Sequence, residues 1–305
     1  MKNYITMMRP AHWSKNVFVF AALIFGQKLI GPREEVITAV LSAFGAFLCF
    51  CLAASSMYIL NDVIDRKSDL LHPEKRKRPI ASGKVAVANA LVFAGVCAAA
   101  ALAGSYILVK ELAVIIFIYL AMSVLYSISF KHMMIIDVII IAIGFVLRAV
   151  AGAIAVGVFI SPWLIICTFA LCLFLGFSKR YAEISLLAEN GKEFRRTLGG
   201  YTQDLLSHMV NVSSGLAIIC FLLYSMDERT VHFFGTNSLF VTVPFVLYCV
   251  FRFSALIQKG TYTGPVQIVI KDRPFQIGFA LWVLVCFVIV HANRLGLRLS
   301  DLVAY

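Results

Sequence analysis

The chain has 305 residues, 61% of them hydrophobic and only 14% charged, with mean hydropathy +0.90 and a formal charge of +11. Soluble domains sit near half apolar and a quarter charged, so this composition excludes an ordinary water-soluble core and points to an all-α protein that crosses a bilayer many times. The excess of cations is scattered over loops, which argues against nucleic acid as a partner and for anionic lipid heads and anionic substrates.

The first residues, MKNYITMMRPAHWSKN, are basic but hold no short apolar core with a cleavage site, so no removable signal peptide is expected. His12 and Trp13 within them read as anchors at the membrane interface. Polar breaks then predict about nine spanning helices, near 17–31, 36–61, 85–108, 112–130, 134–157, 162–186, 205–225, 237–257 and 275–293. Together they read as a single transmembrane domain, residues 1–305, a polytopic membrane bundle.

Between the second and third spans lies NDVIDRKSDLLHPEKRKRPIASG, residues 61–83. Asp62, Asp65 and Asp69 stand at i, i+3 and i+7, which on a helix is one narrow face. Like charges on one face repel unless a cation neutralises them. Carboxylates are hard ligands, and Mg²⁺ takes one or two of them while keeping room for substrate phosphates. Asn61 adds a neutral donor and acceptor. Lys75, Arg76, Lys77 and Arg78 supply the charge-assisted hydrogen bonds that a diphosphate needs beyond its metal. A merely solvated loop that sets topology would explain the cations but not the acidic face, because acidic residues do little for orientation.

The fourth span ends in YSISFK, residues 126–131. The fifth carries Arg148 and closes in GAIAVG, residues 152–157, a small-residue surface for close helix contact. A guanidinium inside a span is costly and has a partner or a function. Two readings of Arg148 stand side by side: a hydrogen-bonding group facing the bundle, or a phosphate ligand. Asp137, 11 residues earlier and ~16 Å away along the helix, is too far for a direct pair. The sixth span ends in SKRYAEIS, residues 178–185. Beyond it, EFRRTLGGYTQD (193–204) reads as a solvated connector or a lid, and KDRPFQI (271–277) precedes the last span. All eight cysteines lie in apolar stretches without a CxxC pair, as fillers of helix packing.

Twenty of the 27 lysines and arginines fall in one set of loops and six in the other, with Arg148 inside a span. The positive-inside rule puts the N-terminus and the large basic loops in the cytoplasm of an inner-membrane protein.

The NDxxDxxxD pattern followed by RPIASG resembles the first motif of the UbiA superfamily of intramembrane prenyltransferases. RPAHWSKN (9–16) is similar to the family's N-terminal segment and YSISFK to its Tyr-x4-Lys element. The resemblance implies a nine-helix, UbiA-like fold with a cytoplasm-facing active site and Mg²⁺ on Asp62, Asp65 and Asp69 as the catalytic metal centre. The family's second acidic motif, DxxYAxxD, matches SKRYAEIS at Tyr181 and Ala182, but Ser178 and Ser185 stand where its aspartates are expected. Half of the metal clamp used to ionise a prenyl diphosphate is therefore missing. One branch resembles this arrangement, the polyprenyl-phosphate phosphoribosyltransferases. Its chemistry moves 5-phosphoribosyl from phosphoribosyl diphosphate to a polyprenyl (decaprenyl) phosphate and releases pyrophosphate. The substrate-binding residues expected on that basis are Asn61, Lys15, Arg76, Arg78, Tyr126, Lys131, Arg148, Lys179, Arg180 and Tyr181. The alternatives are a UbiA-type prenyl transfer to an aromatic or quinone-precursor acceptor, and transport of anionic metabolites. The latter is disfavoured because the charged cluster lies at the membrane rim and not at the midplane.

Overall fold

The computed structural model describes residues 2–159, 161–190 (side chains only to 185), 200–262 and 264–291. The expected lid or connector therefore lies outside the described residues over 193–199, as do Arg195, Arg196, Arg294 and Arg298. Among the described residues the chain is helical, in the order α1 (Lys2–Met8), a 3-10 segment (Pro10–Phe20), α2 (Ala21–Phe25), α3 (Arg33–Ile64), α4 (Arg66–Leu71), α5 (Val87–Leu108) and α6 (Lys110–Ile128). There follow α7 (Ile136–Val156), α8 (Pro162–Asn190), α9 (Gln203–Met226), α10 (Glu228–Phe234), α11 (Val243–Gln258), α12 (Pro265–Lys271) and α13 (Arg273–His291). Eight helical stretches among the described residues are long and apolar enough to cross a bilayer, which makes this a multi-pass membrane protein.

The first expected span departs from the sequence reading. Residues 10–25 are not one α-helix; they form 11 residues of 3-10 helix followed by the five-residue α2. Pro10 opens the segment, and Arg9 before it sits in the left-handed region at φ 52°, ψ 62°. Tertiary contacts hold the stretch extended against α3 in antiparallel register. Arg9 meets Asp62, Trp13 Nε1 donates to Ser55 Oγ (3.1 Å), Asn16 Nδ2 donates to Cys51 Sγ (3.2 Å), and the Phe20 ring lies 5.3 Å from that of Phe47. Leu23 then packs with Ala39 and Ala43. With rises of about 2.0 Å per 3-10 residue and 1.5 Å per α residue, the stretch is roughly 30 Å long. Trp13 and His12 are turned onto α3, His12 lying edge-on to Tyr58.

Contacts divide the chain into two compact units: residues up to Met133 with Gly144–Phe159, and Met134–Ile143 with the described residues after Phe159. The first unit is packed on small residues. Ala43, Ala46, Ala53, Ala54 and Ala101 are buried, which lets α3 approach α5 and the 3-10 segment closely. Gly152, in the small-residue stretch, shows how closely: a Cβ there would lie 1.9 Å from the Val19 carbonyl oxygen. The second unit is packed on aromatics, with Phe174, Phe177, Tyr181, Tyr201, Phe253 and Phe275 around Val138, Leu206 and Ile257.

Candidate functional site

In the first unit, α3 ends just where its acidic face begins. Asn61 and Asp62 occupy its last turn, Asp65 caps it at φ −85°, ψ 3°, and Asp69 lies on α4. Backbone bonds Asp65 N–H to Asn61 C=O and Asp69 N–H to Asp65 C=O, both 2.9 Å, carry the helical direction across the break. The break nevertheless separates the three carboxylates. Asp62 and Asp69 are buried, each 2% exposed, whereas the Asp65 side chain is 29% exposed.

Every one of these carboxylates has a basic partner. Arg78 Nη1 donates to Asp62 Oδ1 (3.0 Å) and to Asp69 Oδ2 (2.6 Å), so two buried carboxylates converge on one nitrogen. Arg9 also donates to Asp62 Oδ1, with its guanidinium over the Tyr58 ring. Lys131 Nζ reaches Asp65 Oδ1 (2.5 Å) and Asn61 Oδ1 (3.2 Å), and Asn61 Nδ2 donates back to Asp65 Oδ2 (2.9 Å). Three aspartates thus meet Arg9, Arg78 and Lys131, and the mutual repulsion of the carboxylates is offset. Arg78 is aimed inward by its own loop: Pro79, Ile80 and Ala81 are buried, Ser82 N–H bonds the Arg78 carbonyl (2.8 Å), and Gly83 turns the chain at φ 74°. Ile80 anchors that loop among Met7, Ile59, Val85, Ala90 and Ala94. Arg76 remains exposed on the rim.

This donor set fits a divalent cation, with a qualification to the sequence reading. No three acidic, histidine or cysteine side chains gather at one metal-sized point among the described residues. The expected triad is a buried pair, Asp62 and Asp69, already converging on a positive group, with Asp65 beside it on Lys131. One or two carboxylates with space for phosphate oxygens is the usual Mg²⁺ arrangement.

The second motif, in the second unit, is organised differently. Asp137, fully buried, receives Arg180 through Nε (3.0 Å) and Nη2 (2.9 Å), while Arg180 Nη1 donates to Glu183 (2.7 Å). Tyr201 donates its O–H to Asp137 (3.2 Å) and accepts the Ile135 N–H (2.6 Å). Burial first, and then the Asp137 charge, push the Tyr201 phenol up to about 12, so it stays a donor at neutral pH. Gln203 donates to the buried Tyr181 O–H (3.0 Å). Arg180 is therefore an internal ion-pair partner here, and Lys179 is the exposed cation, 3.7 Å from Glu183. Ser178 Oγ is buried with no hydrogen-bond partner among the described residues, and Ser185 Oγ bonds the Tyr181 carbonyl.

Arg148 is resolved by its contacts. It donates to Asn16 Oδ1 (2.7 Å), the Gly144 carbonyl (2.6 Å) and Tyr119 Oη (3.1 Å), and its guanidinium lies over the rings of Phe50, Tyr119 and Phe145. Asn16 meets α3 at Cys51, 11 residues before Asp62 and so ~16 Å along the helix from the aspartates. The guanidinium stitches the 3-10 segment to α6 and α7. Lys15 is exposed on that segment, and Tyr126 is half-buried on the last turn of α6. Arg9 was missed by sequence reasoning, although RPAHWSKN begins with it. The Asp137–Tyr201 bond was missed as well.

Comparison with known proteins gives concordant results. The model of the UbiA prenyltransferase family matches residues 17–187. The chain is 34% identical over 288 residues to the decaprenyl-phosphate phosphoribosyltransferase of Mycolicibacterium smegmatis, covering 92% of this chain and 89% of that protein. It is 32% identical over 283 residues to the protein of the same name from Corynebacterium glutamicum, covering 92% and 84%. In fold it is similar to a UbiA homolog from Archaeoglobus fulgidus bound to DMAPP and Mg²⁺, with TM-score 0.68 and 19% identity over 94% of this chain and 99% of that one.

Proposed function

Because this chain belongs to the UbiA prenyltransferase family, we propose that it transfers 5-phosphoribosyl from phosphoribosyl diphosphate to a polyprenyl phosphate, such as decaprenyl phosphate, with release of pyrophosphate. The observation that carries this reading is the asymmetry of the two motifs. Asp62, Asp65 and Asp69 line one of them, while the equivalent positions of the other are Ser178 and Ser185, with Arg180 neutralised by Asp137 and Glu183. One clamp for a metal-bound diphosphate remains, without the second acidic clamp that ionisation of a prenyl diphosphate uses.

In this reading Asp62 and Asp69 would hold Mg²⁺, with Asp65 and Asn61 beside them. The bound ion supplies charge neutralisation for the departing pyrophosphate. The chain's own residues do the rest. Arg78, Arg9 and Lys131, which meet these carboxylates, are the cations beside them that would pair with the phosphate oxygens of a bound diphosphate. Arg76, exposed in the same unit, is a cation for the outer phosphates, and Tyr126 lines the approach. As pyrophosphate leaves, carbon 1 of the ribose becomes oxocarbenium-like, and an oxygen of the lipid phosphate bonds to it. That nucleophile is ionised at neutral pH, so no general base is needed. Arg148 positions the 3-10 segment that directly follows Arg9. The distribution of lysines and arginines supports an inner-membrane location with the N-terminus and the site on the cytoplasmic side.

The test is incubation of membranes containing the protein with labelled phosphoribosyl diphosphate, polyprenyl phosphate and Mg²⁺. Label enters the lipid phase, and Asp62→Ala abolishes its transfer. A folded protein that leaves the lipid unlabelled refutes the donor assignment. Transfer from a prenyl diphosphate to an aromatic acceptor would establish the other family chemistry.

A further inference from the structure

The second unit carries another basic surface, which the proposed reaction does not use. Tyr248, Phe251, Arg252, Ala255, Leu256 and Lys259 stand at i, i+3, i+4, i+7, i+8 and i+11, form one face of α11 and its C-cap, and line an open groove of about 360 Å³. Phe251 is 60% exposed, and beside the groove α12 turns Val266, Val269 and Ile270 outward. Two of its lining residues, Arg252 and Lys259, are cations. Between residues 252 and 273 the sequence holds Arg252, Lys259, Lys271 and Arg273 against one acid, Asp272. That acid is already engaged: Arg252 grips both of its oxygens (2.6 and 2.9 Å), and it caps α13 by accepting the Phe275 N–H (2.8 Å). Lys259, Lys271 and Arg273 are exposed and form no ion pair among the described residues.

We propose that this groove is a binding site for one anionic glycerophospholipid of the surrounding membrane. From Lys259 to Tyr248 the face is about 17 Å long, close to the length of an acyl chain. Lys259, Lys271 and Arg273 flank the ends of their spans, and the apolar side chains of the face run along α11 away from Lys259. Clusters of lysine and arginine beside a span attract anionic headgroups. A second protein copy would have to match both the apolar length and three unneutralised cations. A lipid of that class matches both with one molecule. The inference stands independently of the transfer chemistry.

Native mass spectrometry of the full chain in mild detergent tests it, with phosphatidylglycerol and phosphatidylcholine of identical acyl chains as probes. One phosphatidylglycerol is retained in preference to phosphatidylcholine. At roughly fivefold per cation, the K259Q/K271Q variant weakens that preference on the order of 25-fold. Ala255→Trp, which fills the groove and leaves the cations intact, removes the single adduct. Equal retention of the two lipids, an undiminished preference in K259Q/K271Q, or an adduct that survives Ala255→Trp overturns the proposal. So does polyprenyl phosphate displacing phosphatidylglycerol at equal concentration, or a chain dimer that forms through this face and excludes the lipid.

Discussion

Replacing Arg78 by glutamine gives the sharpest test of how the aspartates are held. Among the described residues Arg78 is the one group that bonds both Asp62 and Asp69, at 3.0 and 2.6 Å, and both carboxylates are buried. Stripping a partner from a buried pair costs about 3–5 kcal/mol, and from an exposed one about 0–1. The Arg78 side chain is 26% exposed and Asp62 keeps Arg9, so a loss at the lower end of the buried range, about 3 kcal/mol, follows. For a chain of this size that corresponds to a fall of roughly 6 °C in Tm. The variant frees the carboxylate pair for a metal, so millimolar Mg²⁺ restores more Tm to Arg78→Gln than it adds to the wild type, by mass action on the folded state. The assay is thermal unfolding in detergent with EDTA or Mg²⁺, completed by a double-mutant cycle with Asp69→Asn. A coupling of about 2 kcal/mol is expected for a charge-assisted bond between the two. An unchanged Tm in EDTA, additive mutations, or an equal Mg²⁺ effect on both proteins would refute the bridging role.

Two further outcomes follow from the second unit. Arg180→Ala leaves Asp137 buried with one neutral donor, so it lowers stability by about 3–5 kcal/mol. Activity per folded molecule falls without a selective rise in KM for phosphoribosyl diphosphate, and such a rise would return Arg180 to the phosphate ligands. The hydrogen bonds from Arg252 hold the Asp272 carboxyl below the usual carboxylate range, ahead of the opposing effect of burial. A depressed folded-state pKa stabilises above the unfolded value, near 3.9, and that stability is lost as pH falls through the folded value. The Tm difference between wild type and Asp272→Asn is therefore level at neutral pH and shrinks in acid below about pH 4. A difference that grows in acid would contradict the pairing.

Much of the fold is legible because hydropathy reports helix length directly, and the spans from the second onward lie near their expected bounds. The segment over residues 10–25 escaped because a 3-10 and an α-helix of the same apolar residues give nearly the same hydropathy, and only contacts with α3 select the longer form. The aspartates were legible by spacing, but the break at Asp65 was not, since nothing in VIDRKS stops a helix. Charge partners were the least legible. Arg9 meets Asp62 across 53 residues, and Arg180 meets Asp137 across 43, so a cation placed beside a motif in sequence need not serve it in space.

The stretched geometry of residues 10–20 sets the reach of Arg9. Wound as an ordinary α-helix, those 11 residues would be about 5 Å shorter. With Val19 pinned against Gly152, the guanidinium would then fall short of Asp62 by more than the length of an ion pair. The pitch of a segment with no acidic residue of its own thus acts as a ruler, deciding whether the N-terminal cation touches the aspartates at all.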